Sequence, residues 1–86
     1  MAEIVVYRTP WCGWCFRARQ LLEEKGVPFT EVDVSNDPAK RKWLLEITQR
    51  PTVPQVFING RPVGGFTELA QLERTGELDR LLAEAV

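Results

Sequence analysis

A chain of 86 residues is long enough for one domain with a modest core, burying about two-thirds of its unfolded surface. Hydrophobic residues make up 44% and charged residues 27%, the usual range for a soluble globular domain, and no apolar run approaches the ~20 residues that span a bilayer. A net charge of −1 and a pI near 5.4 give no broad basic surface for nonspecific nucleic-acid binding, leaving only a local basic patch open.

The run Ile4-Val5-Val6-Tyr7 is β-branched and aromatic and predicts a short strand buried on both faces. Pro10 ends it, because proline lacks the donor that a central strand needs. From Gly13 to Lys25 the spacing turns helical, with Cys15, Ala18, Leu21 and Leu22 as the inward stripe. Gly26 is the expected C-terminal stop, with Pro28 just beyond. Phe29 to Val34 alternates apolar and polar residues and predicts a second strand, which implies a right-handed parallel βαβ unit. Asp37 and Pro38 read as the N-cap and first residue of a second helix, with Ala39, Trp43, Leu44 and Ile47 as its expected buried face. Lys40, Arg41 and Lys42 crowd the start of that helix, where the macrodipole does not favour cations. They hint at a use elsewhere, or else form a solvated face.

Arg50-Pro51-Thr52-Val53-Pro54 cannot continue the helix. Gln55-Val56-Phe57-Ile58 predicts a strand, Asn59-Gly60 a hairpin turn, and Arg61-Pro62-Val63-Gly64 the returning strand, with Pro62 placing it at an edge. Gly64-Gly65 makes a bend, and Thr67 is the expected cap of a helix through Leu69, Ala70 and Leu72. Gly76 interrupts that helix, and Leu78, Leu81, Leu82 and Ala85 form a last helical stripe. The expected order is β-α-β-α-β-β-α, an α/β fold with a four-stranded mixed sheet flanked by helices. Linkers, repeats and low-complexity segments are not visible, so one domain over 1–86 is expected.

The only two cysteines, Cys12 and Cys15, lie where the strand pattern gives way to the helical one. Met1-Ala2-Glu3 leads straight into the first strand with no leader pattern, so a cytoplasmic location is expected. In that reducing compartment a structural disulfide would not persist, and closing so short a loop contributes only about 2 kcal/mol. Zinc needs four Cys or His ligands, and a chain with no histidine and no third cysteine offers half a site, unless two chains share an ion or an iron–sulfur cluster. Two inert core cysteines are a third reading, but Cys12 sits between Trp11 and Trp14 at a helix start. Thiol–disulfide exchange is the fourth, and the pattern favours it. Helix N–H groups favour a thiolate at Cys12 without a histidine base, and Cys15 is spaced to attack the resulting mixed disulfide.

Cys12-Gly13-Trp14-Cys15 after a strand, Thr52-Val53-Pro54 before another, and Gly64-Gly65 after a hairpin together resemble the glutaredoxins, from about Ile4 to Leu82. The resemblance implies the thioredoxin fold, a cis Val53–Pro54 bond, and unpaired Val53 N–H and C=O groups that pair with a substrate like an added strand. It implies glutathione binding in which Arg41 holds the glycine carboxylate, the Val53 backbone the cysteinyl part, the Phe66 and Thr67 backbone the γ-glutamyl carboxylate, and Glu68 the ammonium, with Thr52, Pro54 and Gly65 also among the binding residues. Arg41 as a surface charge, Thr67 as a cap and Glu68 as a first-turn acid are the plain alternatives.

The sequence departs from the family pattern at Gly13-Trp14, where Pro-Tyr is common. It departs again at Thr9 and Pro51, where cations are common, and at Phe66-Thr67-Glu68. Gly65-Phe66 is similar to redoxins that serve ribonucleotide reductase and draw on thioredoxin reductase. The expected protein is a monomeric dithiol oxidoreductase with Cys12 as nucleophile and Cys15 as resolving thiol. Trp11, Trp14 and Phe66 would form an apolar rim for disulfide-containing protein substrates, with packing of Trp11 against the domain as the plain alternative. Glutathione or a flavoprotein disulfide reductase would act as reductant, with no tightly bound cofactor. A cluster-sharing dimer is the rival of another class, to be seen by colour and visible absorbance.

Overall fold

The apolar N-terminal run forms β1 (Ile4–Arg8) and becomes an inner strand of the sheet. The structure, a computed structural model, describes residues 2–84; Ala85 of the expected last stripe lies outside them. β1 is followed by α1 (Gly13–Glu24), β2 (Thr30–Asp33), α2 (Pro38–Thr48), β3 (Gln55–Ile58), β4 (Arg61–Gly64), α3 (Phe66–Thr75) and α4 (Glu77–Ala83). The sheet order is β2-β1-β3-β4, with β1 parallel to β2 and antiparallel to β3, and β4 antiparallel to β3. This is the thioredoxin fold.

Strand alternation splits the core in two. Ile4 and Val6 of β1 and Val56 and Ile58 of β3 face Ala18 and Leu22 of α1, Leu69 of α3, and Leu78 and Leu82 of α4. Each fully buried leucine there contributes about 1.5–3 kcal/mol. The opposite face carries Val34, Leu44 and Phe57, with Val5, Tyr7 and Val32 packed around them. Among the described residues, α2 is the only helix on that side.

That asymmetry corrects two expectations. Val5 and Tyr7 are half-buried, so β1 is not buried on both faces. Of the four residues expected on the buried face of α2, only Leu44 is buried. Ala39 is exposed, and Trp43 and Ile47 stay 38% and 49% exposed. The Trp43 ring lies across the sheet, 5.7 Å from Phe57 and 5.6 Å from Tyr7, and is left partly open to solvent.

The turn chemistry follows the residues. Asp37 caps α2 by accepting from the Lys40 N–H at 3.0 Å, and Pro38 opens the helix. Asn59 and Gly60 adopt φ of 52° and 79°, positive at both, as a type I′ hairpin requires. Gly76 at φ 84° divides the last helical stretch into α3 and α4, one helix more than the expected order. Gly65 rather than Thr67 is the N-cap of α3. Thr67 lies inside the first turn, and Glu68 reaches back to accept from the Gly65 N–H at 2.7 Å.

Candidate active site

β1 leaves the sheet through Thr9 and Pro10 into a turn at Trp11, held at φ 65° with its side chain fully exposed. That turn sets Cys12 as the N-cap of α1. Its Sγ accepts from the Cys15 N–H at 3.1 Å, at the end of α1 where the first-turn N–H groups have no partners within the helix. On its other side the Cys12 thiol lies 3.7 Å from the Val53 carbonyl oxygen, to which it can donate.

Cys15, one helical turn further in, is 3% exposed. Burial, then its hydrogen bond to Cys12, push its thiol up to about 12, with the charge of Cys12 adding to the rise. A backbone hydrogen bond from the Thr9 segment and the Arg8 guanidinium act in the opposite direction. Glu31 of β2 pairs with both Arg8 and Arg19 and so fixes the cations beside this thiol. The pair is therefore unequal: one half-buried sulfur facing donors, and one buried thiol kept protonated behind it.

A cleft of about 130 Å³ opens beside the thiols, lined by Trp14, by Thr52, Val53 and Pro54, and by Gly65 to Glu68 at the start of α3. The Val53–Pro54 peptide is cis. Among the described residues the Val53 N–H donates to no protein acceptor. Trp14 and Phe66 pack with centroids 5.8 Å apart, and the Arg17 guanidinium sits 5.2 Å from the Trp14 ring.

Comparison with known proteins agrees with this geometry. The family model described as Glutaredoxin matches residues 4–63. A glutaredoxin of Pseudomonas aeruginosa is 45% identical over 83 residues, covering 96% of this chain and 99% of that one. Glutaredoxin 3 of Escherichia coli is 40% identical over 82 residues, covering 95% and 99%. A crystal structure of a buckwheat glutaredoxin–glutathione complex superposes with a TM-score of 0.89 at 30% identity, covering 94% of this chain and 76% of that one. The chain belongs to the glutaredoxin family. It is a thiol–disulfide oxidoreductase working through the Cys12/Cys15 pair.

Within this glutaredoxin the residues singled out from sequence fall in three places. Trp14, Thr52, Val53, Pro54, Gly65, Phe66, Thr67 and Glu68 line the cleft together. Arg41 does not; it lines a smaller neighbouring hollow with Leu44, Arg50, Pro51, Thr52 and Val53. Trp11 stands on the far side of Cys12, over a separate groove of about 180 Å³ that also includes Arg8, Pro10, Phe16 and Arg19. It therefore does not join Trp14 and Phe66 in one continuous rim. The Val53 carbonyl is also not wholly free, because the Cys12 thiol approaches it.

Arg50 was not among the expected site residues. It lines both the cleft and the neighbouring hollow, and its Nη1 donates to Glu68 Oε1 at 2.8 Å. The same Oε1 accepts from Gly65, and these bonds, that of Arg50 first, hold the Glu68 carboxyl below its ordinary value. The sequence signal was a cation two residues before Thr52, but its direction depends on Gln49 taking a left-handed φ of 60° at the end of α2.

Proposed function

We propose that this glutaredoxin reduces glutathionyl mixed disulfides and protein disulfides, with glutathione as its reductant. The observation that carries the reading is the cleft beside Cys12. It offers an unpaired Val53 N–H, the open N-terminus of α3, and Glu68, all on one side of the attacking sulfur. The likeness to a chain solved as a glutaredoxin–glutathione complex supports it.

A glutathionyl group would lie with its cysteinyl backbone against Val53, between Thr52 and Pro54. Its γ-glutamyl carboxylate would meet the Phe66 and Thr67 N–H groups after Gly65, its ammonium would meet Glu68, and its glycine carboxylate would reach toward Arg41. Every one of these contacts comes from one chain, which suits a monomer, and the reaction suits a reducing cytoplasm.

The Cys12 thiolate attacks the substrate disulfide, one sulfur leaves as a thiolate, and a mixed disulfide remains on Cys12. For a protein disulfide, Cys15 gives up its proton and attacks Cys12 Sγ. This releases the reduced substrate and leaves a Cys12–Cys15 disulfide, so two electrons pass to the substrate. Two glutathione thiols then return the pair to the dithiol as glutathione disulfide forms. With glutathione on Cys12, a second glutathione can also attack the Cys12-bound disulfide directly, releasing glutathione disulfide and the free Cys12 thiolate.

The experiment is a coupled assay on a glutathionylated protein, fed either by glutathione and its reductase or by thioredoxin reductase. Turnover with glutathione is expected, with Cys12→Ser inactive. Turnover only with thioredoxin reductase would overturn the choice of reductant, and activity in Cys12→Ser would overturn the nucleophile.

A further inference from the structure

Arg50 and Glu68 are opposite charges side by side on the wall of the cleft. Glu68 Oε1 is fixed by the Gly65 N–H at 2.7 Å and by Arg50 Nη1 at 2.8 Å. Among the described residues Glu68 Oε2 has no hydrogen-bond partner, and Arg50 makes no other side-chain bond. A guanidinium carries five N–H donors, so most of its capacity is uncommitted, as is one carboxylate oxygen. The Phe66 and Thr67 N–H groups stand at the open end of α3 close by.

We infer that Arg50 is a specificity-determining residue, and that Arg50 and Glu68 together read the zwitterionic α-amino-acid end of a γ-glutamyl thiol. The guanidinium shares the ligand carboxylate with the α3 N-terminus, and the free oxygen of Glu68 takes the ammonium. This rests on the glutathione reading above and adds a determinant to it. An α-amino-acid end carries both charges on neighbouring atoms, so a preset pair of opposite sign matches it. A ligand with one charge or none leaves half of the pair unanswered. Exposure argues against a purely structural role. The two side chains are 45% and 37% accessible, and an ion pair that open to water adds little to stability.

The test compares one peptide carrying a mixed disulfide with glutathione and the same peptide carrying 2-mercaptoethanol, which has no charge. In the wild type the glutathionyl peptide is favoured in kcat/KM. Arg50→Gln is expected to lower that preference about ten-fold, through KM, because a charge-assisted contact is lost. Arg50→Lys keeps part of it. The double swap Arg50→Glu with Glu68→Arg preserves an ion pair but reverses it, and is expected not to restore the preference. An unchanged preference in Arg50→Gln, or full restoration by the swap, overturns the inference and leaves the glutathione reading standing. If the wild type shows no preference at all, the glutathione reading falls and takes this inference with it.

Discussion

Gly64→Ala is expected to be among the most damaging single-methyl changes in the chain. Gly64 ends β4 at φ 116°, a conformation that L side chains rarely adopt, and an alanine held there costs on the order of 1–3 kcal/mol. The added Cβ would also stand 2.7–2.9 Å from the Cβ, Cγ and Oε1 of Glu68. That carboxylate must swing away, losing its bonds to Gly65 and Arg50. Hydrogen bonds to charged groups contribute about 1.5–3 kcal/mol each when buried. With the Glu68 side chain 37% exposed, roughly 0.5–1 kcal/mol each is the discounted figure.

The total is about 2–5 kcal/mol, against the roughly 4–13 kcal/mol expected for a domain of this size. Urea unfolding of the two proteins at a common slope measures it. Gly13→Ala is the control. Nothing lies within 4 Å of its added methyl and its φ is outside the left-handed region, so the narrower unfolded ensemble should stabilise the protein by about 0.4–1 kcal/mol. Repeating Gly64→Ala on a Glu68→Ala background removes the Cγ and Oε1 clashes but keeps the Cβ contact at 2.9 Å, so at least the backbone part of about 1–3 kcal/mol should remain. A cost below about 1 kcal/mol for Gly64→Ala in the wild-type background would refute both the strain and the clash.

In a Cys12→Ser protein, where no adduct at position 12 can be captured as a Cys12–Cys15 disulfide, Cys15 should react slowly with a small methanethiosulfonate. Burial, the first of the causes that push its thiol up to about 12 from the ordinary 9.0, is kept in that variant. A thiol raised that far has about a thousandth of the thiolate and higher intrinsic nucleophilicity returns about 15–30-fold, so a rate ~30–60-fold below that of the urea-unfolded chain is the upper end of the slowing before steric shielding. Peptide mass spectrometry reads it, and native labelling within a few-fold of the unfolded rate would contradict the burial argument. Cys15→Ser should keep turnover of glutathionylated substrates yet accumulate mixed disulfides with protein substrates on non-reducing gels; no trapped species would count against the resolving role. Glu68 binds its proton less readily when folded, so its contribution to stability is present above about pH 4.5 and fades as pH falls through its lower folded value. The stability gap between wild type and Glu68→Gln should therefore shrink on acidification below 4.5; a gap that widened would reverse the assignment.

The sequence showed the strands, the turns and both thiols because each has a local cause. Proline stops β1, Asp37 and Pro38 open α2, and Asn59-Gly60 closes the hairpin. The exposure of Trp43 and Ile47 was hidden, because helical spacing reports one apolar stripe and not how many helices share a face of the sheet. The cap of α3 was misplaced for a similar reason. Thr67 has the right chemistry for capping, but the extended backbone at Gly65 and the reach of Glu68 settled the start. Arg50 was invisible as a site residue because its bond to Glu68 spans 18 positions and passes through the bend before β3. The separation of Arg41 from the main cleft is likewise a matter of tertiary packing, which spacing along α2 does not reveal.

The contact between Cys12 and the Val53 carbonyl joins residues 41 positions apart. A ribosome releasing this chain therefore emits the reactive motif well before the wall of the cleft that faces it. Until β3 and the first turn of α3 have docked, the emerging polypeptide is a dithiol peptide open to any disulfide it meets. The contacts proposed for glutathione are complete only with the last third of synthesis. A truncation after α2 would then leave a chain with its thiols intact and those proposed contacts gone.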